Sequence, residues 1–205
     1  MVLISHRKKF IYIKNKKVAG TTIEIFFEKY CTDPNKEYVA NHSTPTIISN
    51  YGIIGSRLKK DSKYNNHINA EKIVKYIGKD IFNSYFKFCV VRNPFDKMVS
   101  LYFYKKANEK MSFKEFCKKR NCRNIERYKI NNKLVCDFYI RYENLNEDIE
   151  KVCKILNIEY DEKLIGSYKS EFREERNYRK FYDEETKEIV YEKHKEEFEF
   201  FGYKF

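Results

Sequence analysis

The chain has 205 residues, 42% of them hydrophobic, and its 18 Tyr and 17 Phe supply enough apolar surface for one domain with a real core. No run approaches the ~18 apolar residues of a membrane span, which excludes an integral membrane segment. The 42 Lys and Arg against 30 Asp and Glu leave a formal charge of +12, which favours an anionic partner, but the cations form no long block and acidic residues lie between them throughout. That interleaving reads as solvated helix faces more than as a nucleic-acid stripe.

The six cysteines, Cys31, Cys89, Cys117, Cys122, Cys136 and Cys153, contain no CxxC pair and no His/Cys cluster at zinc spacing. Cys89 and Cys136 sit in apolar runs, where a free thiol is a small core residue. The opening MVLISHRKKF is too short and too soon charged for a signal peptide. A reduced, cytoplasmic compartment is the expectation.

In chain order, FIYI (Phe10 to Ile13) is a buried strand. Thr21 to Tyr30 has Ile23, Phe26, Phe27 and Tyr30 at helical spacing, with Thr21 and Glu24 placed as a capping box. Residues from about 31 to 66 show little periodicity and read as a loop-rich insertion. Asn69 caps a helix running through Tyr76 and Ile77 and closed by Gly78. FKFCVV (Phe86 to Val91) is a second buried strand. Asn93 and Pro94 then start a helix, with Phe95, Met98, Val99, Tyr102 and Phe103 facing the core. A second capping box, Ser112 to Glu115, opens a short helix. Leu134 to Tyr142 is a third strand, and Asn144 to Leu156 is a helix with Leu145, Ile149, Val152, Cys153 and Leu156 on one side. From Asp183 a charged helix leads to the aromatic ending EFFGYKF, placed to dock on the core. Strands alternating with helices predict a single α/β domain over 1–205, a three-layer sandwich around a mainly parallel sheet.

The stretch KNKKVAGTT (Lys14 to Thr22) lies between a buried strand and a helix start, where an open α/β sheet binds anions. Lys17, Gly20, Thr21 and Thr22 are its candidate phosphate ligands; an ordinary strand-to-helix turn is the competing reading. The GxxxxGK[ST] pattern of nucleoside-triphosphate sites is missing. The second buried strand runs into Arg92 where such an enzyme places a metal-holding carboxylate. That favours a nucleotide held by protein cations without a metal. Taken singly, Arg92 reads as a surface ion pair and Ser100 as a helical hydroxyl bonded to its own backbone.

Together these segments resemble the PAPS-dependent sulfotransferases (PAPS is 3'-phosphoadenosine 5'-phosphosulfate), in particular the Golgi-type carbohydrate sulfotransferases and their small bacterial relatives. FIYIKNKKVAGTTIE is similar to the family's strand, PKTGGTS-like loop and helix, and Lys17, Ala19, Gly20, Thr21 and Thr22 cover that loop. FCVVRNPFDKMVSLYFY (Phe88 to Tyr104) resembles the RNPxDRxVSxYY signature, and RYENL (Arg141 to Leu145) and the stretch from Phe181 to Phe205 are also family-like. The chain departs from the loop pattern at Lys16, Val18 and Ala19, and Ala19 fits only with a negative φ.

The resemblance implies a P-loop-like sulfotransferase fold and PAPS as donor, with adenosine 3',5'-bisphosphate as product and no metal. Lys17 would lie near the oxygen bridging phosphate and sulfate; Arg92 and Ser100 would hold the 3'-phosphate. From a late loop Arg179 and Lys180, with Arg173 and Arg176 in the same stretch, could reach the 3'-phosphate or an acidic acceptor, although for most of them a solvated charged face is the favoured reading. The acceptor is a hydroxyl, by resemblance that of a glycan, and needs a base. Of the four histidines, His67 ranks first and His42 second, while His194 reads as solvated. Glu24 is an alternative base that its capping-box place already explains. A kinase or NTPase, and a non-enzymatic nucleic-acid binder resting on charge alone, are the rival readings.

Overall fold

The apolar runs VLIS and FIYI, separated by four polar residues, form the hairpin around which the sheet is assembled. In the computed structural model, which describes residues 1–39, 45–57, 63–163 and 175–205, they are β1 (Val2–Ser5) and β2 (Phe10–Ile13), with every residue buried. The described residues fall into two compact units, each built from two stretches of chain: Met1–Val91 with Glu126–Lys169, and Arg92–Ile125 with Ser170–Phe205.

In the first unit, α1 (Gly20–Phe27) follows β2, and β3 (Ile47–Ser49) and β4 (Gly52–Ile54) form a short hairpin. Next come α2 (Ala70–Ile77), α3 (Lys79–Ser84) and β5 (Phe86–Val91). After the chain returns, β6 (Lys129–Ile130) and β7 (Lys133–Leu134) pair only with each other, and β8 (Phe138–Arg141) rejoins the main sheet. The main sheet has the order β3-β4-β1-β2-β5-β8.

Its β3–β4, β4–β1 and β1–β2 pairings are antiparallel, and only β2–β5 and β5–β8 are parallel. The expected mainly parallel sheet is thus corrected to a mixed one with a parallel half. The reason is connection length: β1 and β2, like β3 and β4, are joined by turns too short for the crossover that a parallel pair requires. One face carries Leu3, Phe10, Tyr12, Ile54, Phe88, Val90 and Ile140, which cluster with Ile23, Phe26 and Phe27 of α1. Ile149, Val152 and Cys153, from the helix Leu145–Leu156 that follows β8, join the same cluster. Phe27 anchors it, with ring centroids 5.6 Å from Phe10 and 5.1 Å from Phe88.

The second unit is helical: α4 (Pro94–Tyr104), α5 (Phe113–Lys119) and, after the 145–156 helix α6, the long α7 (Glu184–Phe201). Asn93 caps α4 by accepting from the Phe95 N–H at 3.0 Å, and Ser112 with Glu115 makes the predicted capping box of α5. Phe95, Met98, Val99 and Tyr102 pack with Phe113, Phe116, Val190 and Phe198; Tyr203 and Phe205 lie against that core. None of the described helices is long and apolar enough to cross a membrane.

Candidate functional site

Beyond Ile13, the last residue of β2, the chain enters the segment flagged as an anion loop. Asn15, only 1% exposed, donates its amide N–H to the carbonyl of Val90 at 2.8 Å and so bolts the loop to the neighbouring parallel strand β5. Its Oδ1 is buried and has no hydrogen-bond partner among the described residues. Val18 is fully buried and pins the loop's far side.

Between these anchors Lys17 (φ 60°) and Ala19 (φ 57°) are both left-handed. The expectation of a negative φ at Ala19 is overturned. A left-handed L-residue costs about 1–2 kcal/mol, and strain of this kind gathers where a loop wraps a ligand. The expected capping box is also absent: α1 begins at Gly20 with Ala19 as its N-cap and no side-chain cap, and Glu24 points elsewhere. The helix start therefore offers backbone N–H groups and the positive end of its dipole, with no cap from the side chain of its N-cap residue. Thr21 is half-buried and Thr22 buried in that first turn, and Lys17 is half-buried beside it in sequence. Ala19→Gly is expected to raise stability by about 0.5–1 kcal/mol, the relief of the left-handed penalty less the extra chain entropy of glycine. A denaturant titration measures this; an unchanged or lowered midpoint contradicts it.

Gly20 leaves room for the Lys14 side chain. A Cβ there would stand 3.0 Å from Cε and 3.2 Å from Cγ of Lys14, whose stem crosses it. The Lys14 ammonium then meets Glu24 at 2.7 Å. Glu24, fully buried, also accepts from the Met1 amino group at 3.2 Å and from Arg57 Nε at 3.4 Å; Arg57 further donates to Glu28 at 2.9 Å. Burial alone raises the Glu24 pKa; the Met1 amine, Lys14 and Arg57 outweigh it and hold the carboxylate below its ordinary value. This ionic cluster, not a helix cap, is the role of Glu24. Sequence reasoning passed over Lys14, Asn15 and Arg57. The place of Lys14 and Asn15 between a buried strand and the loop was the available signal for two of them, while Arg57 had none.

His67 sits three residues before α2 and is itself left-handed (φ 63°). Its Nδ1 lies 3.4 Å from the carbonyl oxygen of Lys14, so the structure brings the first-ranked base to the root of the anion loop. With Nδ1–H as the donor, Nε2 keeps a lone pair. Burial first, then the Met1 amine, Lys14 and Arg127, lower its pKa to about 3, so the ring is neutral at physiological pH. A cavity of about 260 Å³ opens beside it, lined by Asn65, Ile68, Asn69, Lys72, Glu126 and Arg127. His42 and Arg173 lie outside the described residues.

Arg92, Ser100 and Arg179 belong to the second unit. Arg92 is only 8% exposed and pairs with Asp96, its Nε at 2.8 Å and a terminal nitrogen at 2.7 Å from the same oxygen, so the ion pair is buried where a surface pair was the single-residue reading. Ser100 is half-buried on α4. Arg179 is exposed, its guanidinium 5.0 Å from the Tyr178 ring and 5.7 Å from that of Phe205. His194 is corrected from solvated to buried: it is 1% exposed, with Nδ1 2.7 Å from Glu197. Three apolar side chains of α7, Val190, Phe198 and Phe201, turn inward with it, which the charged composition of that helix masks.

A model of the sulfotransferase family matches residues 1–204. An uncharacterized protein of Archaeoglobus fulgidus is 41% identical over 91 residues, covering 40% of this chain and 76% of its own length. No solved structure matches the chain. With a strand, an uncapped helix start and a lysine-bearing loop in place, and the family pattern running nearly end to end, the chain belongs to the sulfotransferase family.

Proposed function

We propose that the chain moves a sulfuryl group from PAPS to a hydroxyl group, in our reading that of a carbohydrate. The observation that carries this is the uncapped start of α1 behind a loop with two left-handed residues, an anion cradle inside a sulfotransferase-family chain. Lys17 and the N–H groups of Gly20, Thr21 and Thr22 take the 5'-phosphosulfate, with the backbone of Ala19 shaping the turn. Arg92 and Ser100 take the 3'-phosphate, and Arg179 adds positive charge. Because β5 leads into an arginine and not a carboxylate, protein cations meet the donor's charge and no metal is required.

In the transfer the acceptor oxygen bonds to sulfur while the bond from sulfur to the bridging oxygen breaks. Lys17 neutralises the charge growing on the departing phosphate oxygen, and His67 Nε2 takes the acceptor proton. An anion held at the loop opposes the cations that depress His67 and brings it closer to the range a base needs. The polar cavity beside His67 is the place for the acceptor, and His42 is the second choice for the base.

Calorimetric titration in EDTA tests the donor assignment. Adenosine 3',5'-bisphosphate is expected to bind at least about tenfold more tightly than AMP, since the 3'-phosphate adds charge-assisted hydrogen bonds. Equal affinities remove the role given to Arg92 and Ser100.

A further inference from the structure

We propose that Lys14 is a positioning residue that couples the His67 imidazole to the start of helix α1, keeping base and anion cradle in one register. The inference rests on the sulfuryl-transfer reading above.

Three contacts of one residue carry it. The Lys14 carbonyl receives His67 Nδ1 at 3.4 Å, which orients the ring. Its stem lies across Gly20, the first residue of α1, where a Cβ would stand 3.0 Å from Cε and 3.2 Å from Cγ. Its ammonium ends on Glu24, on the same helix, at 2.7 Å. The position of Lys14 is set from a fourth side, because the adjoining Asn15 is tied to Val90 of β5. A shift of the Lys14 backbone thus moves the carbonyl that the imidazole meets, and a shift of its side chain alters the contacts with Gly20 and Glu24 at the start of α1. The Lys14 side chain is only 10% exposed, and its ammonium is held by the fully buried carboxylate of Glu24. A displacement of about 1 Å between reacting groups is enough to lower a rate roughly a hundredfold, so such a coupling has functional weight.

Lys14→Met keeps the stem over Gly20 and deletes the charge, while Glu24 retains Arg57 and the Met1 amine. Nitrogen-15 NMR reads the His67 tautomer, with His67→Gln assigning the signal, and calorimetry reads adenosine 3',5'-bisphosphate. We expect a single Nδ1–H tautomer in the unmodified protein and in Lys14→Arg. In Lys14→Met we expect a mixture of tautomers and affinity weaker by about tenfold, restored to within about threefold by Lys14→Arg. A residue that only stabilised the fold would leave the tautomer unchanged. An unaltered tautomer and unaltered affinity in folded Lys14→Met overturn the inference alone. Failure of the unmodified protein to bind the bisphosphate overturns the donor reading and the inference with it. Should Lys14→Met not fold, Glu24→Gln, which removes the charge that holds the Lys14 ammonium and leaves Lys14 in place, is read the same way.

Discussion

Replacing Lys97 by Met is expected to lower the unfolding free energy by about 3–5 kcal/mol, the usual consequence of stranding one member of a buried ion pair. Lys97 is 1% exposed, and its ammonium donates to both oxygens of Glu197 at 2.9 and 2.7 Å. Glu197 also accepts the Asn124 N–H at 3.0 Å and His194 Nδ1 at 2.7 Å; the Cys122 N–H reaches His194 Nε2 at 3.5 Å. That last bond requires an unprotonated Nε2, so the ring is neutral, in agreement with a pKa lowered chiefly by burial.

Burial by itself would raise the Glu197 pKa; Lys97 first and His194 next bring it down to about 2. A depressed carboxylate contributes stability that is present above its unfolded pKa near 4.5 and is lost as pH falls toward 2. Without Lys97 the carboxylate must stay charged in an apolar setting or take up a proton, so the penalty is expected to shrink as pH falls through that window. Urea titrations followed by circular dichroism measure both effects. Adding Glu197→Gln to Lys97→Met removes the orphaned charge and is expected to restore part of the loss, giving a coupling a double-mutant cycle can read. A single-variant loss below about 1 kcal/mol would show that the pair does not offset a buried charge.

Lys17→Ala is expected to lower sulfuryl transfer by about 10²–10³, the scale seen when one preorganised group facing developing charge is removed. Alanine is the informative replacement. Lys17 is left-handed, and alanine keeps that backbone penalty, whereas glycine would relieve it and confound charge with loop conformation. The side chain is half-buried on a loop and outside the apolar cluster, so the melting curve is expected to stay within about 0.5 kcal/mol. Transfer from ³⁵S-labelled PAPS to a panel of glycans, lipids and small phenols checks the rate, and full turnover in folded Lys17→Ala would remove the loop from the mechanism.

Local signals were legible wherever a short stretch carries its own instruction. FIYI and FKFCVV are β-branched and aromatic runs and became β2 and β5, at the residues expected. Asn69 caps α2, with Gly78 at its end in a left-handed φ of 86°, and Asn93-Pro94 opens α4. The run Leu134 to Tyr142 has the pattern of one strand; the structure breaks it into β7 and β8, because residues 133–134 turn back on β6 before the chain reaches the main sheet. The antiparallel half of the sheet escaped notice, since β3 and β4 have three residues each and are too short to show a period.

By itself the amino-acid order determined the parallel strands, most helix boundaries, the loop between β2 and α1, and the family resemblance, because each is written in residues that are neighbours along the chain. Only the tertiary structure decided the charged interior: Lys97 meets Glu197 across 100 positions, Arg57 meets Glu24 across 33, and His67 meets Lys14 across 53. A lysine or glutamate bound for water and one bound for a buried partner look the same in sequence. What separates them is desolvation, a property of the packed surroundings that exists only once distant segments have come together.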